Sequence, residues 1–126
     1  MEEHQCIERL AREDSEIARA RRIAANTLRS WGTDVDLPDT ELIVSELVTN
    51  ALTHGRGGIW MRLCSDRRRV RVEVIDEGGT DESPRLVENA DIGGRGLQVV
   101  DAIANRWGAD DDQATRVWAE TLLRSS

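Results

Sequence analysis

The feature that most constrains the fold is a change of hydrophobic period part-way along the chain. Between residues 14 and 54 the apolar side chains recur at helical spacing. Ile17, Ala20, Ala24, Leu28 and Trp31 make one stripe, and Ile43, Val44, Leu47, Val48 and Ala51 a second. From residue 59 the period becomes two, in the runs 59–64 and 70–76, which residues 65–68 join as a hairpin loop. Asp14 or Ser15 is placed to cap a helix reaching Trp31 and ending at Gly32. Asp36-Leu37-Pro38 opens a second helix, 38–54, which stops at Gly55. Residues 4–11 read as a first strand, 77–92 as a long polar loop, 94–105 as a third helix, and 106–109 and 115–123 as two further strands. The order β-α-α-β-β-loop-α-β-β predicts a two-layer α/β sandwich: a mixed, mostly antiparallel sheet covered on one face by three helices.

Composition narrows the chemistry. The 126 residues suit one domain, 1–126, and with no Phe or Tyr and four Trp the core must be aliphatic. All 17 basic residues are arginines. Without lysine there is no Walker A loop, no strand lysine of the protein-kinase fold and no Schiff-base chemistry. A net charge of −7 disfavours nucleic acid and anionic membrane as partners. No 18-residue apolar run is present, and the polar start Met1-Glu2-Glu3-His4 is no secretory signal, so a cytoplasmic protein is expected. Cys6 and Cys64 form no Cys-x-x-Cys pair and are expected to be reduced thiols.

Three local patterns carry chemistry. On the second helix Glu46 and Asn50 are four residues apart and share a face at one edge of the apolar stripe. There the Asn50 amide oxygen suits Mg²⁺, and Glu46 suits a base for an attacking hydroxyl. The run 70–76 points Val70, Val72, Val74 and Asp76 to one face, so an apolar face ends in a carboxylate that requires a donor such as the amino group of adenine. Gly78 and Gly79 follow it and permit close approach of a ring. Gly93-Gly94-Arg95-Gly96-Leu97 opens a helix, where exposed backbone N–H groups and the helix end bind phosphate. Each pattern alone also has an ordinary reading: an amphipathic helix with polar boundary residues, a turn-initiating Asp, a glycine hinge.

Taken in order, the three resemble the motifs of the GHKL ATPase superfamily. The run from Glu46 to Gly55 looks like its N box, 74–79 like its G1 box and 93–100 like its G2 box. The His54-Gly55 ending, the Gly93-Gly94-Arg95-Gly96-Leu97 run and Val117-Trp118 are similar to the short bacterial anti-sigma-factor serine/threonine kinases. Only one strand and one helix precede residue 37, which argues against a sensor histidine kinase, and neither His4 nor His54 is placed as a phosphoacceptor. The resemblance implies a histidine-kinase-like ATPase fold with ATP and Mg²⁺ as cofactors. It makes Glu46 the catalytic base and Asn50 the metal ligand. It puts Asp76 on the adenine amino group, Gly78 beside the base, Gly93, Gly94, Arg95, Gly96 and Leu97 at the phosphates, and 80–93 as a lid. The implied partners are a sigma factor, an anti-anti-sigma protein of the STAS type and a second copy of the chain; the alternative is a nucleotide-dependent binding regulator that transfers no phosphate. Two departures stand out. Thr80 occupies a position where the family often has Gly, and Ala114-Thr115-Arg116 brings a threonine one position early, which is expected to displace a hydroxyl from the base.

The basic run Arg67-Arg68-Arg69 reads as a solvated turn, Arg19, Arg22 and Arg29 as a solvated helix face, and the scattered Trp residues as packing.

Overall fold

The structure, a computed structural model, describes residues 3–78, 97–110 and 114–124. Its elements run β1 (His4–Leu10), α1 (Ser15–Ser30), α2 (Leu37–His54), β2 (Ile59–Ser65), β3 (Arg69–Asp76), α3 (Leu97–Ile103), β4 (Arg106–Asp110) and β5 (Thr115–Leu122). The strands form one sheet in the order β1-β2-β3-β5-β4. Every pairing among them is antiparallel, so the sheet is more uniform than the mixed one expected.

Period two sorts the strand side chains cleanly. Leu10, Ile59, Met61, Leu63, Val72, Val74, Val117 and Ala119 share one face and form a single buried cluster with residues of α1, α2 and α3. All three helices therefore cover that face, and the core is aliphatic, as expected. The opposite face carries arginines and carboxylates, with Trp60 and Trp118 among them.

Helix ends follow local chemistry, with one exception. At α2 the Asp36 carboxylate accepts the Asp39 N–H at 2.9 Å and a proline occupies the first turn. At the end of α1 Gly32 takes a left-handed φ of 68°, and the Thr33 N–H donates to Leu28 O at 3.0 Å. The start of α1 departs from expectation: Asp14 has helical dihedrals and its side chain makes no capping bond. A capping residue needs extended dihedrals to turn its oxygen onto the first free N–H groups. The Glu16 carboxylate instead ties the preceding connector to the helix by accepting the Ala11 N–H at 2.7 Å.

The hairpin between β2 and β3 is held by Asp66, whose carboxylate accepts the N–H groups of Arg68 and Arg69 at 2.7 and 2.9 Å. Those bonds hold its pKa below the ordinary value. The basic run divides there. Arg67 is solvated and pairs with Glu3 at 3.2 Å, whereas Arg69 belongs to β3 and reaches Glu120. Neither Cys6 nor Cys64 is in a disulfide. Cys6 pairs with Leu63 and Cys64 with Gln5, which sends their side chains to opposite faces of the sheet. No helix among the described residues is long and apolar enough to cross a membrane.

Candidate functional site

The centre of the site is the last residue of β3. Asp76 ends the apolar face of its strand, opposite Ile59 on one side and Thr115 on the other, and is only 3% exposed. Gly55, just past α2, lies against it: a Cβ at Gly55 would collide with the carboxyl group. Gly55 has extended backbone, so what glycine supplies here is room and not conformational freedom. The Gly78 N–H donates to Asp76 Oδ1 at 2.8 Å, and Gly78 takes a φ of 131° that favours glycine. Burial pushes the Asp76 pKa above its ordinary value. The N–H groups of Gly78 and Arg56 and the charge of Arg12 pull it back only in part.

The second part lies on α2. Asn50 is buried, 3% exposed, and its Oδ1 meets no hydrogen-bond donor among the described residues. Buried polar atoms are nearly always satisfied, so an orphaned amide oxygen points to a missing partner. It sits deeper than a rim position. It is five residues before Gly55, about 7.5 Å of rise along the helix axis, and Gly55 is the residue that packs against Asp76. Glu46 is one turn earlier on the same side of α2 and is partly exposed. The donor set fits Mg²⁺: a hard cation takes a neutral oxygen and completes its octahedron with water and phosphate. Among the described residues no group of three His, Cys, Asp or Glu side chains is placed to hold a metal by itself.

This arrangement has an ordered pattern: a helix with an acid and an orphaned amide, then a strand ending in a buried carboxylate beside a glycine turn. The family model for the histidine kinase-like ATPase domain matches residues 10–120. The chain belongs to that family. No curated protein matched the chain. As a histidine kinase-like ATPase domain, it carries the fold expected from the sequence, with residues 46–54 in the C-terminal half of α2 and Asp76 closing β3.

The remaining sequence-derived site residues divide three ways. Gly93, Gly94, Arg95 and Gly96, the segment 80–93 and Thr80 lie outside the described residues. Leu97 stands at the start of α3 with its side chain fully buried in the core, which leaves its backbone N–H as the group the phosphate expectation concerns. The early threonine is a correction. The register Asp76↔Thr115 sets Thr115 directly across from the carboxylate, on the same face and buried, so its hydroxyl is not displaced from the site. Arg116, the next residue, points to the other face and binds Asp110 at 2.9 Å.

The sequence reading missed Gly55 and Arg12 as parts of the site. Gly55 reads as a helix stop, and only the structure shows the carboxylate in its place. Arg12 stands between two elements with no periodic or motif signal.

Proposed function

We propose that this histidine kinase-like ATPase domain is an anti-sigma factor with protein serine/threonine kinase activity. It binds ATP with Mg²⁺, sequesters a sigma factor, phosphorylates an anti-anti-sigma partner of the STAS type and acts as a homodimer. The observation that carries the reading is the buried, unpartnered Oδ1 of Asn50, one turn beyond Glu46 on the helix whose terminal Gly55 packs against Asp76. Asn50 holds the metal, which when bound neutralises charge on the phosphates. Asp76 accepts the adenine amino group. Glu46 takes the proton of a partner Ser or Thr hydroxyl as its oxygen attacks the γ-phosphorus, and ADP leaves. The partner classes rest on the resemblance to anti-sigma-factor kinases, drawn from the His54-Gly55 ending, the Gly93-Gly94-Arg95-Gly96-Leu97 run and Val117-Trp118.

The test is incubation with labelled ATP and a panel of STAS-type proteins, alongside calorimetry with Mg-ATP. Label is expected on a Ser or Thr of one panel member. Glu46→Ala should abolish transfer with nucleotide binding kept, and Asn50→Ala should abolish Mg-ATP binding. Nucleotide binding without transfer to any cognate partner would reduce the reading to a nucleotide-dependent regulator.

A further inference from the structure

Arg12 lies in the connector between β1 and α1 and belongs to none of the motifs. Its guanidinium nevertheless reaches three carbonyls about forty residues away. Nη2 donates to Ala51 O at 2.8 Å, Nη1 to Leu52 O at 3.1 Å and Nε to Gly57 O at 2.9 Å. Ala51 and Leu52 stand in the last turn of α2, where carbonyls run out of intrahelical donors and the helix end is negative. A cation there makes strong bonds. Gly57, with φ of 75°, is the turn residue beyond. Arg12 therefore grips both ends of the segment 51–57. The middle of that segment is one wall of Asp76: Gly55 leaves room for the carboxyl, and the Arg56 N–H donates to it.

We infer that Arg12 is the positioning residue of the site, clamping the segment 51–57 so that Gly55 and Arg56 hold the Asp76 carboxylate in place for its ligand. The inference rests on the nucleotide reading only for what Asp76 binds; the clamp belongs to the unliganded chain. Arg12 acts through the Arg56 N–H and through its own charge. Beside Gly55 and Asp76 along the described chain the other charged or titratable groups are His54, Arg56 and Glu77; Glu46, Glu41 and Asp39 lie further back on α2, and Glu73, Arg71 and Arg69 earlier on β3. The Glu77 carboxylate accepts the Gly58 N–H at 2.6 Å and ties the same turn from the other side. From β2 and β5 the neighbours are Ile59 and Thr115, neither of them charged.

The experiment compares the full chain with Arg12→Leu and Arg12→Lys. The first readout is the Asp76 carboxyl resonance followed by NMR against pH, without nucleotide. Arg12→Leu should move its titration to higher pH. Arg12→Lys keeps the charge but cannot span three carbonyls, and should restore the position in part. A titration unmoved in Arg12→Leu overturns the inference. The second readout is Mg-ATP affinity against pH. Arg12→Leu should weaken binding about tenfold at neutral pH and carry the acid limb upward. A loss equal at every pH marks a merely structural arginine and overturns the inference. If the unmodified chain binds no nucleotide, the nucleotide reading fails while the carboxyl titration still decides on Arg12. If Arg12→Leu does not fold, Arg12→Gln takes its place under the same criteria.

Discussion

Two carboxylates on one strand, three residues apart, meet opposite treatment. Glu73 and Asp76 are 2% and 3% exposed, on opposite faces of β3. Glu73 faces Arg71, Arg62 and Arg116 at 2.7, 3.5 and 3.9 Å. Arg71 is shared with Glu120 at 3.1 Å and also covers the Trp118 ring at 4.2 Å. Asp76 has backbone N–H groups and the charge of Arg12, and burial still raises its pKa. The difference separates two uses of a buried acid. A carboxylate surrounded by guanidinium groups has its charge and lone pairs committed, and serves the fold. One left short of donors keeps acceptor capacity for something that arrives later, at a cost in stability.

Substitutions at the two positions should therefore fail in opposite ways. The largest effect is expected from Glu73→Ala, which removes the buried carboxylate that three partly exposed guanidinium groups share. Chemical denaturation should show a loss of about 3 kcal/mol, while the remaining folded protein keeps its Mg-ATP affinity. Asp76→Ala should do the reverse: affinity by calorimetry falls about a hundredfold with the loss of a charged hydrogen bond, and thermal stability changes little. Gly55→Ala sharpens the contrast by pushing on Asp76 without touching its chemistry, and should weaken nucleotide binding about tenfold. Thr115→Val should cost about threefold in affinity, a small effect that reports whether the hydroxyl opposite Asp76 is used. The smallest signal is in the pH dependence of stability. The folded pKa of Asp76 lies above its unfolded value, so the native state holds more protons between the two. The unfolding free energy therefore falls as pH rises through that interval. Asp76→Asn should flatten this component, and an unchanged slope in nucleotide-free protein would place Asp76 with Glu73.

Most of the fold was legible because the periods are clean. The stripe Ile43, Val44, Leu47, Val48, Ala51 and the alternation Val70, Val72, Val74 each admit one structure, and both are buried as the patterns require. The cap of α1 was not legible, since Asp14 and Ser15 have the right chemistry and the backbone dihedrals decide whether it is used. Of the site, Asn50 and Asp76 could be read from their place at the border of an apolar face. Thr115 was misjudged because counting along β5 gives no register; pairing with β3 does. Arg12 was invisible for a related reason: its partners are about forty residues away, and hydrogen bonds to carbonyls leave no trace in the identity of the residues that supply them. The arginine ladder over Glu73 also escaped, because strand alternation marks which residues turn outward but not which charges meet across strands.

The indole of Trp107 donates to Asp101 of α3 at 2.9 Å. With tyrosine absent and only four tryptophans in the chain, near-ultraviolet fluorescence comes from indoles alone. The helix that follows the glycine run is thus wired to a built-in optical probe, and stopped-flow emission after mixing with nucleotide tests, without an added dye, whether that contact changes.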